Sequence, residues 1–187
     1  MIQYNALNRV VESGTSSLEI SARAFVSRAN DPEFPGGGQD RSYIVYGGSS
    51  GMNYLDGAPQ KNLRNRISHT YNDAGARTYY SYDEHGNLSW LSQEIPGFPV
   101  VNYLKYDYEL VSGNLLKTIY NEGRSDAWYH QYVYDADNRV VGVKAFRDGY
   151  IWDRDARYGY HTMGLLARRR LARTVSSVFT TTYTLQR

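Results

Sequence analysis

The chain has 187 residues, 41% of them apolar and 14% aromatic, with 19 tyrosines. Its 21 Lys+Arg against 19 Asp+Glu leave a net charge of +2, too balanced for the basic face that nucleic-acid binding needs. The absence of cysteine excludes disulfides, thiolate metal sites and cysteine nucleophiles, and no apolar run approaches the ~20 residues of a membrane helix.

Residues 1–29 read as an opening β-hairpin around Tyr4-Asn5-Ala6-Leu7-Asn8-Arg9-Val10, and the first residues carry no apolar signal-peptide core. Residues 30–70 read as an irregular insertion. Asn30-Asp31-Pro32-Glu33-Phe34-Pro35-Gly36-Gly37-Gly38 is loop punctuation, and a short strand is expected at Tyr43-Ile44-Val45-Tyr46. Residues 71–187 form a regular array. The pair Tyr-x-Tyr occurs at Tyr80/Tyr82, Tyr106/Tyr108, Tyr132/Tyr134 and Tyr158/Tyr160, each 26 residues after the one before (80, 106, 132, 158). A fixed period of this size marks a repeat architecture, which an ordinary sandwich does not require.

The unit has a physical reading. Tyr-x-Tyr puts both rings on one face of a strand, because side chains alternate with period two. Turn chemistry follows: Asp83-Glu84-His85-Gly86-Asn87, Glu109 to Gly113-Asn114, Asp135-Ala136-Asp137-Asn138, and His161 to Gly164 where the acid is missing. Asp and Asn bond nearby backbone amides, while Gly or Asn tolerates positive φ. Leu88, Leu115 and Val140 then open the return strand. The fold class is therefore all-β: stacked β-hairpin repeats that bury tyrosine and leucine faces against their neighbours and build a curved sheet. Hairpin tips are expected at Gly86, Gly113 and Asn138. Tyr82, Tyr108, Tyr134 and Tyr160 are expected at equivalent strand positions. Leu165 to Leu171 has some helical propensity, but the repeat phase favours strand.

Several chemistries deserve weighing against blander readings. Gly47-Gly48-Ser49-Ser50-Gly51 fits a nucleophile-elbow pattern at Ser49, but the sequel is a poor helix and no βα alternation supplies a histidine and an acid. Asp135-x-Asp137-x-Arg139 opens like a calcium loop, yet places Arg where an oxygen ligand belongs. Asp148, Asp153 and Asp155 cluster with Tyr150 and Trp152; a solvated strand edge explains them, and Tyr150, Trp152, Asp153 and Asp155 are the residues for a glycan contact if there is one. His69, His85, His130 and His161 show no metal-ligand spacing. Arg168-Arg169-Arg170, the one dense basic run, reads as a solvated loop or strand edge. No cofactor, metal site or catalytic residue is expected.

The stretches Tyr82-Asp83-Glu84-His85-Gly86-Asn87-Leu88 and Tyr134-Asp135-Ala136-Asp137-Asn138-Arg139-Val140 resemble the YD-repeat, or Rhs (rearrangement hotspot), family. Leu110-Val111-Ser112-Gly113-Asn114 and Leu171-Ala172-Arg173-Thr174 are similar to its bacterial members, and the resemblance is strongest over 62–187. It implies a large β-shell around a hollow interior, enclosing a C-terminal toxin in bacterial toxins and forming an adhesion barrel in the animal teneurins. The family's self-cleaving core has no match here. The resemblance thus implies a non-catalytic wall segment of a secreted or cell-surface protein. Its partners would be the remaining repeats of the same shell and the enclosed toxin polypeptide, with no nucleic acid and no membrane span. The alternative is a surface adhesion module that binds cell-surface glycans. Because both ends cut into repeats, the chain is expected not to form a closed, autonomous fold.

Overall fold

The computed structural model describes residues 2–16, 38–54, 56–146, 153–171 and 180–182. Tertiary contacts divide the chain into two compact units, Met1–Asn102 and Tyr103–Arg187.

The first unit contains β1 (Ile2–Tyr4), β2 (Val10–Ser16), β3 (Gly38–Tyr46), β4 (Ile67–Asn72), β5 (Arg77–Tyr82) and β6 (Leu88–Glu94). Each strand pairs antiparallel with the one before it in sequence, giving an open sheet with linear order. The strand expected at Tyr43–Tyr46 extends back to Gly38, a nine-residue element. The second unit contains β7 (Asn102–Tyr108), β8 (Leu115–Tyr120), β9 (Trp128–Tyr134), β10 (Val140–Phe146), β11 (Asp153–Tyr160), β12 (Leu166–Leu171) and β13 (Thr180–Thr182), again antiparallel and in linear order. No helix occurs among the described residues, and Leu166–Leu171 is strand. Aromatic and β-branched residues fill sequences such as Arg77–Tyr82 and Trp128–Tyr134, and the described prolines, Pro59, Pro96 and Pro99, all lie outside the strands.

Every hairpin that follows an odd-numbered strand carries the same irregularity. The register slips just before the last residue of β1, β3, β5, β7 and β11, and at the matching place between β9 and β10. Tyr4 faces Val10, Tyr46 faces Ile67, Tyr82 faces Leu88, Tyr108 faces Leu115, Tyr134 faces Val140 and Tyr160 faces Leu166. In each case the second residue of the return strand is the extra one. A bulge of this kind bends its strand and increases the local twist.

The core is thin in both units. In the first, residues 47–54 and 56–66 fold back over the sheet and bury Tyr54 and Leu63 with Tyr79 and Trp90; the Tyr54 and Trp90 rings lie 5.8 Å apart. In the second, Ile119, Ala127, Ala145, Phe146 and Ala156 are buried, and Phe146 stacks on Tyr129 at 4.3 Å. Most strand tyrosines are only half-buried, so their hydroxyls need partners close to the surface.

Candidate functional site, a tyrosine ladder between hairpins

The tips share one backbone design. The amide after each strand-ending tyrosine donates to a carbonyl four residues on: Asn5 to Arg9 (2.9 Å), Asp83 to Asn87 (2.9 Å), Asp135 to Arg139 (3.0 Å) and His161 to Leu165 (2.8 Å). The amide three residues on donates back: Asn8 to Asn5, Gly86 to Asp83, Asn138 to Asp135 and Gly164 to His161. That fourth residue is left-handed every time, with φ of 55° at Asn8, 95° at Gly86, 59° at Asn138 and 84° at Gly164. The result is a turn closed by a left-handed residue, which only Gly and Asn adopt cheaply. The Glu109 turn is one residue longer, and Gly113 holds its left-handed place.

At Asn5, Asp83, Glu109 and Asp135 the first side chain of the turn folds back on it. Asn5 Oδ1 accepts from the Leu7 and Arg9 amides, Asp83 Oδ1 from Asn87 and Asp135 Oδ1 from Asp137 and Arg139. Glu109 accepts from the Ser112 amide. The two glycine tips also make a graded prediction. A methyl on Gly86 would lie 2.5 Å from Arg66 Nη2, whereas Gly113 has open space around it. Gly113→Ala should cost about 1 kcal/mol for the left-handed backbone alone. Gly86→Ala should cost about 2 kcal/mol, because Arg66 must also leave its place over Tyr82. Urea unfolding of the two variants side by side checks the order.

The strand-ending tyrosines join one hairpin to the next. Tyr46 Oη donates to the Val10 carbonyl (3.0 Å), Tyr82 to Ile67 (3.0 Å), Tyr134 to Leu115 (2.9 Å) and Tyr160 to Val140 (2.8 Å). The acceptor is always the first residue of the preceding hairpin's return strand, beside the bulge where the regular ladder is interrupted. Arginines from the preceding turn cover three of these rings. Arg9 Cζ lies 4.1 Å from the Tyr46 centroid, Arg66 5.4 Å from Tyr82 and Arg139 4.9 Å from Tyr160. Arg139 is itself fixed by Asp135 and Asp137, each at 2.8 Å. The acid of the turn therefore orients the cation that seats the next tyrosine. Burial raises the phenol pKa of Tyr82 and of Tyr134, so both remain donors at neutral pH.

Three turn carboxylates sit below their ordinary range. Burial alone would raise Asp83, but hydrogen bonds from the Asn87 side chain and amide and from the Gly86 amide outweigh it. The Arg139 amide is the main cause at Asp135, and Ser112 at Glu109. Their folded pKa values lie below the unfolded ones, so the folded state binds fewer protons in between. The stability they contribute is fully present above the unfolded values near pH 4 and is lost as pH falls through the folded values. Urea midpoints should drop from pH 5 to pH 2.5, and Asp83→Asn with Asp135→Asn should flatten that fall. An unchanged slope in the double variant would contradict the assignment.

A second cluster braces the first unit. Gln60, buried, donates from Nε2 to the Ser68 and Tyr80 carbonyls (2.8 Å each), and its Oε1 accepts from the Ser50 amide and hydroxyl. Lys61 donates its amide to Ser81 Oγ and accepts from the Tyr82 amide, while Asn62 Nδ2 reaches the Tyr82 carbonyl. Residues 60–62 thus strap the end of β5.

The other sequence candidates are dispersed. Ser49 Oγ accepts from the Gly51 amide in an exposed glycine-rich turn, with no helix after it. The carboxylates of Asp135 and Asp137 are engaged by Arg139. His69 and His130 lie in β4 and β9, His85 and His161 in turns, and no metal-holding group of three His, Cys, Asp or Glu occurs among the described residues. Asp153 and Asp155 belong to β11, whereas Asp148, Tyr150 and Trp152 lie outside the described residues. Among the described residues, no helix is long and apolar enough to cross a membrane.

No family model and no curated protein matches the chain. Similar solved structures include TcdB2-TccC3-Cdc42 (TM-score 0.32, 11% identity, 96% of this chain and 10% of that one). Another is TcdB2-TccC3 without its hypervariable C-terminal region (TM-score 0.31, 11% identity, 96% and 10%). A third is a Photorhabdus luminescens Tc holotoxin pore carrying a TccC3 mutation (TM-score 0.31, 10% identity, 96% and 12%). The chain spans about a tenth of the length of each.

Proposed function

We propose that the chain is a non-catalytic wall segment of a YD-repeat shell, acting outside the cell that makes it or on its surface. The shell would surround a polypeptide of the same protein, a C-terminal toxin on the family pattern. The observation that supports this reading is the ladder. In each unit a tyrosine of one hairpin closes on the return strand of the hairpin before it. At these four steps the earlier hairpin offers an acceptor carbonyl and the later one a phenol, so units of this kind add on without a change of design. Side chains at the tips are spent on holding the turns, which leaves them little freedom for chemistry.

The test uses the intact protein that carries this segment. Limited proteolysis should leave the enclosed polypeptide uncut under native conditions. Tyr82→Ala combined with Tyr134→Ala and Tyr160→Ala should expose it at lower urea. Cleavage of that polypeptide at the same rate in native and unfolded protein would overturn the enclosing role.

A further inference from the structure

The basic run Arg168-Arg169-Arg170 is part of β12, and the pairing splits it between two faces. Arg168 and Arg170 are exposed, while Arg169 is half-buried on the opposite side. Arg170 stands directly across from Arg157 of β11, also exposed. Arg168 stands across from Gly159, two positions along the same face. On their other flanks these positions meet Gly142 of β10 and Thr180 and Thr182 of β13. Lys144 shares the face with Gly142, two residues along β10. The positions directly opposite the three arginines are thus Gly, Thr or another Arg, and none is a carboxylate. Like charges directly opposite each other on a sheet are destabilising, so this arrangement costs the isolated fold something.

We infer that this face of β10–β12 is a docking surface for an acidic, extended polypeptide segment. The inference is independent of the shell reading. Adjacent strands lie ~4.8 Å apart, so the arginines and Lys144 span roughly 10 Å, the reach of a few successive carboxylates. Guanidinium forks take carboxylates in paired hydrogen bonds, and such a partner removes the Arg157–Arg170 repulsion as it binds. A nucleic acid fits less well: its affinity grows with a long track of phosphate contacts, and the chain as a whole carries only +2.

The test is binding of fluorescent poly-L-glutamate to the full chain at low ionic strength. The variant Arg157→Gln/Arg168→Gln/Arg170→Gln should bind about tenfold more weakly, while its urea midpoint stays level or rises as the repulsion is removed. In the unsubstituted chain, poly-L-glutamate should slow phenylglyoxal modification of Arg157, Arg168 and Arg170, a readout that does not depend on how the variant folds. The inference is overturned by no poly-L-glutamate binding, by equal binding of the triple variant, or by unprotected arginines. Tighter binding of a single-stranded oligonucleotide of equal charge overturns it as well.

Discussion

Replacing Tyr82 by alanine is expected to destabilise the first unit by about 3 kcal/mol, within the range for large-to-small aromatic changes. Three losses combine. The Ile67 carbonyl loses the phenol that reaches it at 3.0 Å. Arg66 loses the ring beneath its guanidinium. The half-buried ring surface between two hairpins is left as a void. Tyr82→Phe keeps the ring and should cost about 1 kcal/mol, the net worth of one hydrogen bond. The gap between the two variants, read from urea unfolding, therefore separates ring from hydroxyl. An alanine variant no weaker than the phenylalanine one would mean that the ring does not pack between hairpins.

Gln60→Leu is expected to cost 2–4 kcal/mol on the order of two buried acceptors left bare. The side chain fits by volume, but the carbonyls of Ser68 and Tyr80 both lose their donor. Ser50 loses its acceptor as well, although it is exposed and water replaces that bond. Segment 47–66 would then loosen over Trp90, which is 6% exposed in the native fold. Tryptophan fluorescence should shift to the red before the main unfolding transition. A variant with native emission and an unchanged midpoint would show that the strap is not held through Gln60.

The hairpin tips were legible in the sequence because their determinants are local. At Asn5, Asp83 and Asp135 an acid or amide, then Gly or Asn at the fourth place, closes the turn within five residues. The alternation of Tyr80 and Tyr82 with the residues between them was legible for the same reason. Tyr46 escaped the count because residues 47–66 stand where other hairpins have about five, which hides it from a period of 26. The arginine partners were hidden for a different reason. Arg139 meets Tyr160 only after β10 and β11 pair, and nothing in either local sequence announces the contact. Gln60 was unreadable because a glutamine in a Gly- and Pro-rich stretch looks like loop, and its worth depends on carbonyls from β4 and β5. Of the residues named for a glycan contact, Asp153 and Asp155 belong to β11, and Tyr150 and Trp152 lie outside the described residues.

Strand-ending tyrosines link successive hairpins through their hydroxyls, and a set of Tyr→Phe substitutions reads out that link. Tyr82→Phe, Tyr134→Phe and Tyr160→Phe each delete one phenol-to-carbonyl bond of 2.8–3.0 Å. Tyr132→Phe serves as the control, two residues from Tyr134 on the same face of β9. Urea unfolding should show a loss of about 1 kcal/mol for each ladder position and a change within about 0.5 kcal/mol for the control. Equal effects at Tyr132 and Tyr134, or no loss at the three ladder positions, would contradict the account.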